Sequence, residues 1–395
     1  MEQAKKRKAN MIIRRLEEKD IQQHNEVSSS CFIWQVGESD DSLPEGILLG
    51  AFSDDNKTLM SNLECITFPV YFKQLTLKCL GIGGVATKPE YRRGGLVRAL
   101  FDEAFRMSAR QAWDISLLSP FSTVYYRKFG YDTVLWNIKA RAEISSLSCI
   151  DRCFDVELVS NNNVEELIKL YNKIAKSTDL LVVRNEKGDF YHKPFSKCEY
   201  TYMYKRNGEA RGFISYKIDR AQSLLAVNEI YFYDKQALLG LLGFLRTYEG
   251  NLKYIEFTRL PATTPVLSVI GEPRAFTITA FPGNSGRILN MESVLNATVF
   301  PREYGRFSFL SLDTVPACSG IFNVEYENKK GLITRSEDGE YDFSVSACAA
   351  AKLFLSGEGF SENLLSYIDG FEKKRDVTDL LKAFPARSTD FNKGF

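Results

Sequence analysis

From Gly84 to Arg98 the chain reads Gly-Val-Ala-Thr-Lys-Pro-Glu-Tyr-Arg-Arg-Gly-Gly-Leu-Val-Arg. It is a glycine-bearing turn flanked by arginines, set where a strand pattern gives way to a helical one. Residues of this kind suit a phosphate or pyrophosphate. The first N–H groups of a helix lack intrahelical partners, and the helix dipole adds partial positive charge at that end. Gly94 and Gly95 carry no side chain to hold a pyrophosphate off the backbone, while Arg92 and Arg93 add charge. One dipole contact contributes only about 0.3–1 kcal/mol in exposed settings, so several must act together. The spacing is not that of a P-loop, because no Gly-Lys-Ser/Thr follows, and it is not the dinucleotide GxGxxG turn.

The elements around this turn fall into three blocks. In the first, strands are expected at Met11 to Arg15, Gly46 to Phe52, Leu63 to Phe72 and Leu75 to Thr87, with a helix from Glu17 toward Ser28-Ser29-Ser30. Glycines inside the 75–87 strand mark a bulge or a close backbone approach. Leu96, Val97, Leu100, Phe101, Ala104 and Phe105 recur at helical spacing. Strands at Trp113 to Leu118 and Tyr131 to Ala140 bracket Ser119 to Gly130. The second block repeats this order in outline: a helix at Val164 to Ala175, strands at Gly212 to Ile218 and Ala226 to Asp234, a helix at Gln236 to Thr247 and a strand at Tyr254 to Thr258. There Tyr233-Asp234-Lys235-Gln236 replaces the Arg- and Gly-rich turn, the pattern of an internal repeat with a decayed site. The third block has strands at Arg306 to Leu312, Gly320 to Glu327 and Gly331 to Ser336. A Glu337-Asp338-Gly339 hairpin turn leads into Glu340 to Val345, and helices follow at Ala347 to Leu355, Glu362 to Phe371 and Val377 to Phe384.

Composition removes other chemistries. The 395 residues hold two histidines, His24 and His192, too few for a histidine metal site or a serine-type triad. Eight cysteines form no CxxC pair and read as reduced thiols of a cytoplasmic protein. No metal is expected. Fifty-one basic residues balance fifty acidic ones, which argues against electrostatic capture of nucleic acid or an anionic membrane. No apolar run approaches the roughly 18 residues of a membrane span. The basic start, residues 1–10, reads as a solvated tail.

Arg92-Arg93-Gly94-Gly95-Leu96-Val97 resembles the pyrophosphate motif R/Q-x-x-G-x-G/A of the GNAT acetyltransferases, which use acetyl-CoA; Val97 departs from it. With Val-Tyr-Tyr-Arg-Lys-Phe-Gly-Tyr at 124–131 and the three-block order, nearly the whole chain is similar to the Eis family. The resemblance implies two tandem GNAT-like domains, the second degenerate, followed by a sterol-carrier-protein-like α+β domain. The corresponding ranges are 11–149, 150–286 and 287–395. It implies that Val85, Ala86 and Thr87 lie along the pantetheine arm, that Arg92 and Arg93 through Arg98 (Arg93, Gly94, Gly95, Leu96, Val97, Arg98) hold the pyrophosphate, and that Phe121 and Ser122 flank the cofactor. Tyr126 would protonate the departing thiolate, and the terminal carboxylate of Phe395 would be the general base. Acceptors would be primary amines, aminoglycosides or lysine side chains, and the assembly a hexamer.

Chemistry supports the need for a base. A substrate ammonium with pKa near 10.4 leaves only about one free amine in a thousand near pH 7.4. Without the resemblance, Tyr126 reads first as an aromatic packing on the strand edge. Phe32 and Trp34 are either walls of an amine pocket or core. The alternative to an enzyme is a lipid- or CoA-binding assembly protein with a vestigial site.

Overall fold

The computed structural model describes residues 11–32, 43–44, 46–73, 75–186 and 199–393. Six strands form early in the chain: β1 (Met11–Arg15), β2 (Ile47–Ser53), β3 (Leu59–Phe72), β4 (Leu75–Thr87), β5 (Ile115–Leu118) and β6 (Asp132–Thr133). Helices α1 (Ile21–Ser29), α2 (Leu96–Gln111) and α3 (Thr123–Arg127) interrupt them. The long strands β3 and β4 alternate their side chains between two cores. Leu63 and Cys65 meet Leu100, Phe101 and Ala104 of α2 on one face, and Leu59 and Ala86 meet Val27 of α1 on the other. Burying a side chain the size of Leu100 or Phe101 contributes about 1.5–3 kcal/mol, which fixes α2 against the sheet.

Seven strands follow: β7 (Trp136–Glu143), β8 (Val156–Leu158), β9 (Tyr200–Arg206), β10 (Glu209–Asp219), β11 (Leu224–Phe232), β12 (Tyr254–Pro261) and β13 (Thr277–Pro282). They make a second sheet in the order β13-β7-β12-β11-β10-β9-β8. Helix α4 (Val164–Ala175) covers one face and α5 (Lys235–Arg246) the other. The chain then returns to the first sheet. β14 (Ser285–Ile288) inserts between β5 and β6, antiparallel to both, giving the order β1-β2-β3-β4-β5-β14-β6.

The sheets differ from the sequence reading in two ways. The single strand expected at 131–140 is two. Only β6 stays in the first sheet, and β7 pairs with β12 and β13 in the second. The sheets therefore cross the expected boundaries at 149/150 and 286/287.

The third unit has β15 (Gly305–Leu312), β16 (Gly320–Glu327), β17 (Lys330–Ser336), β18 (Phe343–Ser346) and β19 (Phe371–Lys373), in the order β17-β16-β15-β18-β19. The expected hairpin at 337–339 does not form. β18 pairs parallel to β15, leaving β17 at the edge, because Phe343 and Val345 bury themselves with Phe309 rather than with β17. Helices α6 (Met291–Asn296) and α7 (Ala347–Leu355) pack between this sheet and the first unit, so the two share one continuous core. Arg287 of β14 ties them further. Wholly buried, it donates to the Phe129 carbonyl (2.6 Å) and pairs with Asp313 (2.5 Å). Gly130 sits at φ +81°, and a β-carbon there would collide with the Arg287 guanidinium.

Candidate active site

β4 and β5 pair in parallel from Cys79↔Ile115 to Ile82↔Leu118 and then part, while β4 runs on to Thr87. On its other edge β4 stays paired with β3 as far as Ser61↔Thr87, across a bulge at Asn62/Glu64. Asn62 donates to the Gly84 carbonyl (2.7 Å), Ser61 to the Ala86 carbonyl (2.6 Å), and the Lys88 N–H to the Met60 carbonyl (3.0 Å). Even-numbered positions therefore turn their backbone toward β3. By alternation, Val85 and Thr87 turn theirs to the other side, where no strand among the described residues pairs with them and the Thr87 carbonyl accepts from Cys31 Sγ (3.2 Å). An extended amide-bearing ligand fits such an edge. At roughly 3.3 Å per residue, Ile82 to Thr87 spans about 17 Å.

The turn above this slot is shaped by two left-handed residues, Arg93 (φ +65°) and Gly95 (φ +84°), the latter the N-cap of α2. A β-carbon on Gly95 would meet nothing within 4 Å, so the turn opens onto free space above the first N–H groups of the helix. That cradle, with Arg92, Arg93 and Arg98 around it, fits a pyrophosphate. The Arg92 Nε donates to the Thr87 carbonyl (3.3 Å), bracing the turn against β4. Arg98 donates to the Lys128 carbonyl (3.2 Å) and lies over the Phe129 ring, joining α2 to α3.

Across the slot, Ser122 caps α3 by accepting from the Tyr125 N–H (3.3 Å). Phe121 is 76% exposed and stands edge-on to Tyr126, 5.4 Å between centroids. Tyr126 is only 4% exposed, wedged between Phe101 and Phe121, and its hydroxyl has no hydrogen-bond partner among the described residues. Burial, with a smaller effect of neighbouring Tyr125, pushes its pKa well up, so it holds its proton at neutral pH. By contrast, Tyr131 spends its hydroxyl on Ser116 (2.7 Å).

Among the acceptor residues expected from sequence, Phe32 packs at the edge of the α1-side core with Cys31 and Leu43. Trp34 lies outside the described residues. Sequence reasoning missed Glu64 and His24 on that same face. The largely buried Glu64 carboxylate lies 3.9 Å from His24 Nε2, and a β-carbon on Gly84 (φ +54°) would collide with it. A lone charge within the apolar run Leu63-Glu64-Cys65-Ile66 was the available signal.

The second unit repeats the split. β11 and β12 pair in parallel from Leu224↔Tyr254 to Val227↔Phe257 and then diverge. Here, however, a carboxylate occupies the helix N-terminus. Asp234 accepts from the Ala237 N–H (2.8 Å) and pairs with Arg211 (2.6 Å). The chain's end enters this second split. Asp390 pairs with Arg259 of β12 and accepts from Tyr231 of β11 (2.8 Å). Asn392 donates to Tyr171 (2.9 Å) and Tyr231 (3.2 Å). Phe391 then meets Phe68 of β3, and the Lys393 ammonium lies over the same ring. Phe395 lies outside the described residues.

Two family models match, each an acetyltransferase (GNAT) domain, over residues 12–134 and 182–288. The chain is a GNAT acetyltransferase. The acetyltransferase is similar over its whole length to solved structures. One is a protein of unknown function from Enterococcus faecalis V583, described as a probable N-acyltransferase (19% identity, TM-score 0.83, 98% of this chain and 100% of that one). Another is a GCN5-related N-acetyltransferase from Anabaena variabilis, with the same values. A third is Eis1 from Mycobacterium abscessus (18% identity, TM-score 0.78, 98% and 99%). The acetyltransferase is thus Eis-like in fold. No curated protein matches it. Among its described residues, no helix is long and apolar enough to cross a membrane, and no group of three His, Cys, Asp or Glu side chains is placed to hold a metal.

Proposed function

We propose that the acetyltransferase moves an acetyl group from acetyl-CoA to a primary amine by direct attack within a ternary complex. The parting of β4 from β5, between the cradle at Gly95 and the unbonded hydroxyl of Tyr126, carries this reading. The pyrophosphate lies on the α2 N-terminus between Arg92, Arg93 and Arg98, the amides of the pantetheine arm pair with Val85 and Thr87, and Phe121 and Ser122 flank it. Acetyl-CoA supplies the activated thioester. The chain's part is to orient it, exclude water with Phe101 and Phe121, and deliver the Tyr126 proton to the thiolate. Release of free thiol from acetyl-CoA with a panel of polyamines, aminoglycosides and lysine peptides tests the reading, and no turnover with any of them sinks it. Tyr126→Phe is expected to lower turnover about 10²-fold or more, the usual range for a general acid, with acetyl-CoA affinity near normal because the hydroxyl acts on the leaving group.

The same reading makes the carboxylate of Phe395 a base. Its support is the course of residues 388–393, which are strapped through the second unit and emerge over Phe68 of β3. Deleting Phe395 is expected to reduce turnover with the fold intact; full activity in the shortened chain removes the tail from the chemistry. We read the second unit as a decayed copy that now holds the tail, the third as sterol-carrier-protein-like, and the assembly as a cytoplasmic hexamer.

A further inference from the structure

We propose that Glu64, backed by His24, receives the proton that the acceptor ammonium must lose at the mouth of the β4–β5 split. This rests on the acetyltransferase reading above. Three observations converge on it. First, Glu64 occupies the bulge opposite Gly83 and Gly84, one step past Ile82↔Leu118, where β4 leaves β5. A ligand whose pyrophosphate lies at Gly95 and whose arm follows Thr87 and Val85 back along β4 brings its thioester to this end. Second, the bulge and the absent side chain of Gly84 leave the space that the carboxylate fills. Third, the pair is unsatisfied: the Glu64 side chain retains 17% of its surface and has no hydrogen-bond partner among the described residues, while the buried Nδ1 of His24 has none either. A buried charge left so poorly paired destabilises a fold, and a cationic substrate would satisfy it.

The groups around Glu64 are few. Among the described residues α1 presents His24. The register neighbours on β2 and β4, Leu48 and Gly83, carry no charge, and Cys65 on β3 itself points to the opposite face. Burial raises the Glu64 carboxyl above its ordinary value and lowers His24, which is therefore neutral beside it.

The proton balance uses every group. The nitrogen forms its bond to the acetyl carbonyl carbon, the C–S bond breaks, and the thiolate takes the proton of Tyr126. Of the two protons the nitrogen sheds, one passes to Glu64 and leaves to solvent over the 17% of its side chain that stays exposed, and the other restores Tyr126. A terminal carboxylate can share in this traffic, so the two bases do not exclude each other.

The experiment compares the full-length wild type with Glu64→Gln and Glu64→Asp on two acceptors: spermidine, which is protonated at neutral pH, and benzhydrazide, which is not. The expected result is a fall in kcat/KM of about 10²-fold for Glu64→Gln with spermidine and a much smaller one with benzhydrazide. Glu64→Asp should be partly active, and the affinity for acetyl-CoA unchanged. In the wild type the spermidine rate rises with pH as Glu64 ionises, a limb displaced above the ordinary glutamate value of about 4.3 and lost in Glu64→Gln. Equal losses with both acceptors, or an unchanged pH profile, overturn the assignment. If the wild type itself releases no thiol with any amine, the acetyltransferase reading fails instead.

Discussion

Gly95 holds φ +84° at the foot of α2 with open space where a β-carbon would project. Alanine there is forced into the left-handed region, which costs about 1–2 kcal/mol, and its methyl would stand in the cradle. Gly95→Ala is therefore expected to weaken acetyl-CoA binding about tenfold in a calorimetric titration and to lower the melting temperature by a few degrees. Residues of this kind were legible from sequence because their chemistry is local. The arginines, glycines and helix start of the turn are contiguous, and Tyr126 lies within a short motif. Glu64 and His24 were not legible. They lie on different elements, and only the β3–β4 bulge and the packing of α1 bring them together.

The strands and helices that bracket the turn formed where their periodicity placed them, and β4 and α2 match their expected starts. Short strands escaped notice. β13 and β14 have few residues, and their partners are fixed by long-range pairing rather than by their own pattern. The position of β18 was hidden because a good turn sequence at 337–339 says nothing about whether a parallel neighbour competes for the strand. That the turn before α5 lacks the glycines and arginines of the first unit was visible in the sequence; that Asp390 enters the split beside it was not. In the first unit the β4–β5 split faces a glycine cradle, whereas in the second the β11–β12 split faces Asp234 and is filled from the side by Asp390. An anion is excluded from one and expected in the other by the same backbone geometry.

At the scale of the whole chain, side chains along residues 387–392 fasten the C-terminal strap, Thr389 among them through the Ser356 carbonyl (2.9 Å). Arg387 pairs with Asp179 (2.9 Å), Asp390 with Arg259, and Asn392 with Tyr171 and Tyr231. Asp390→Ala leaves Arg259 facing the second split without its carboxylate. Arg259 keeps 25% of its side-chain surface, so the loss should sit at the low end of the about 3–5 kcal/mol typical of breaking a buried pair. The expected outcome is a lower melting temperature together with, on the proposed role of Phe395, reduced turnover. Turnover at the wild-type level in a protein whose strap has been freed, as judged by protease cleavage near residue 390, would contradict that coupling.

β14 gives this arrangement an order in time. The first sheet is incomplete until Ser285–Ile288 slides between β5 and β6, so the second unit is in effect a long insertion within the first. A nascent chain that has emerged only as far as α3 already carries the cradle, the slot and Tyr126, yet lacks the strand that closes the sheet beside them. The ribosome therefore finishes the second unit before the first sheet can close. Translation itself keeps the first sheet unfinished until the whole of the second unit has been made.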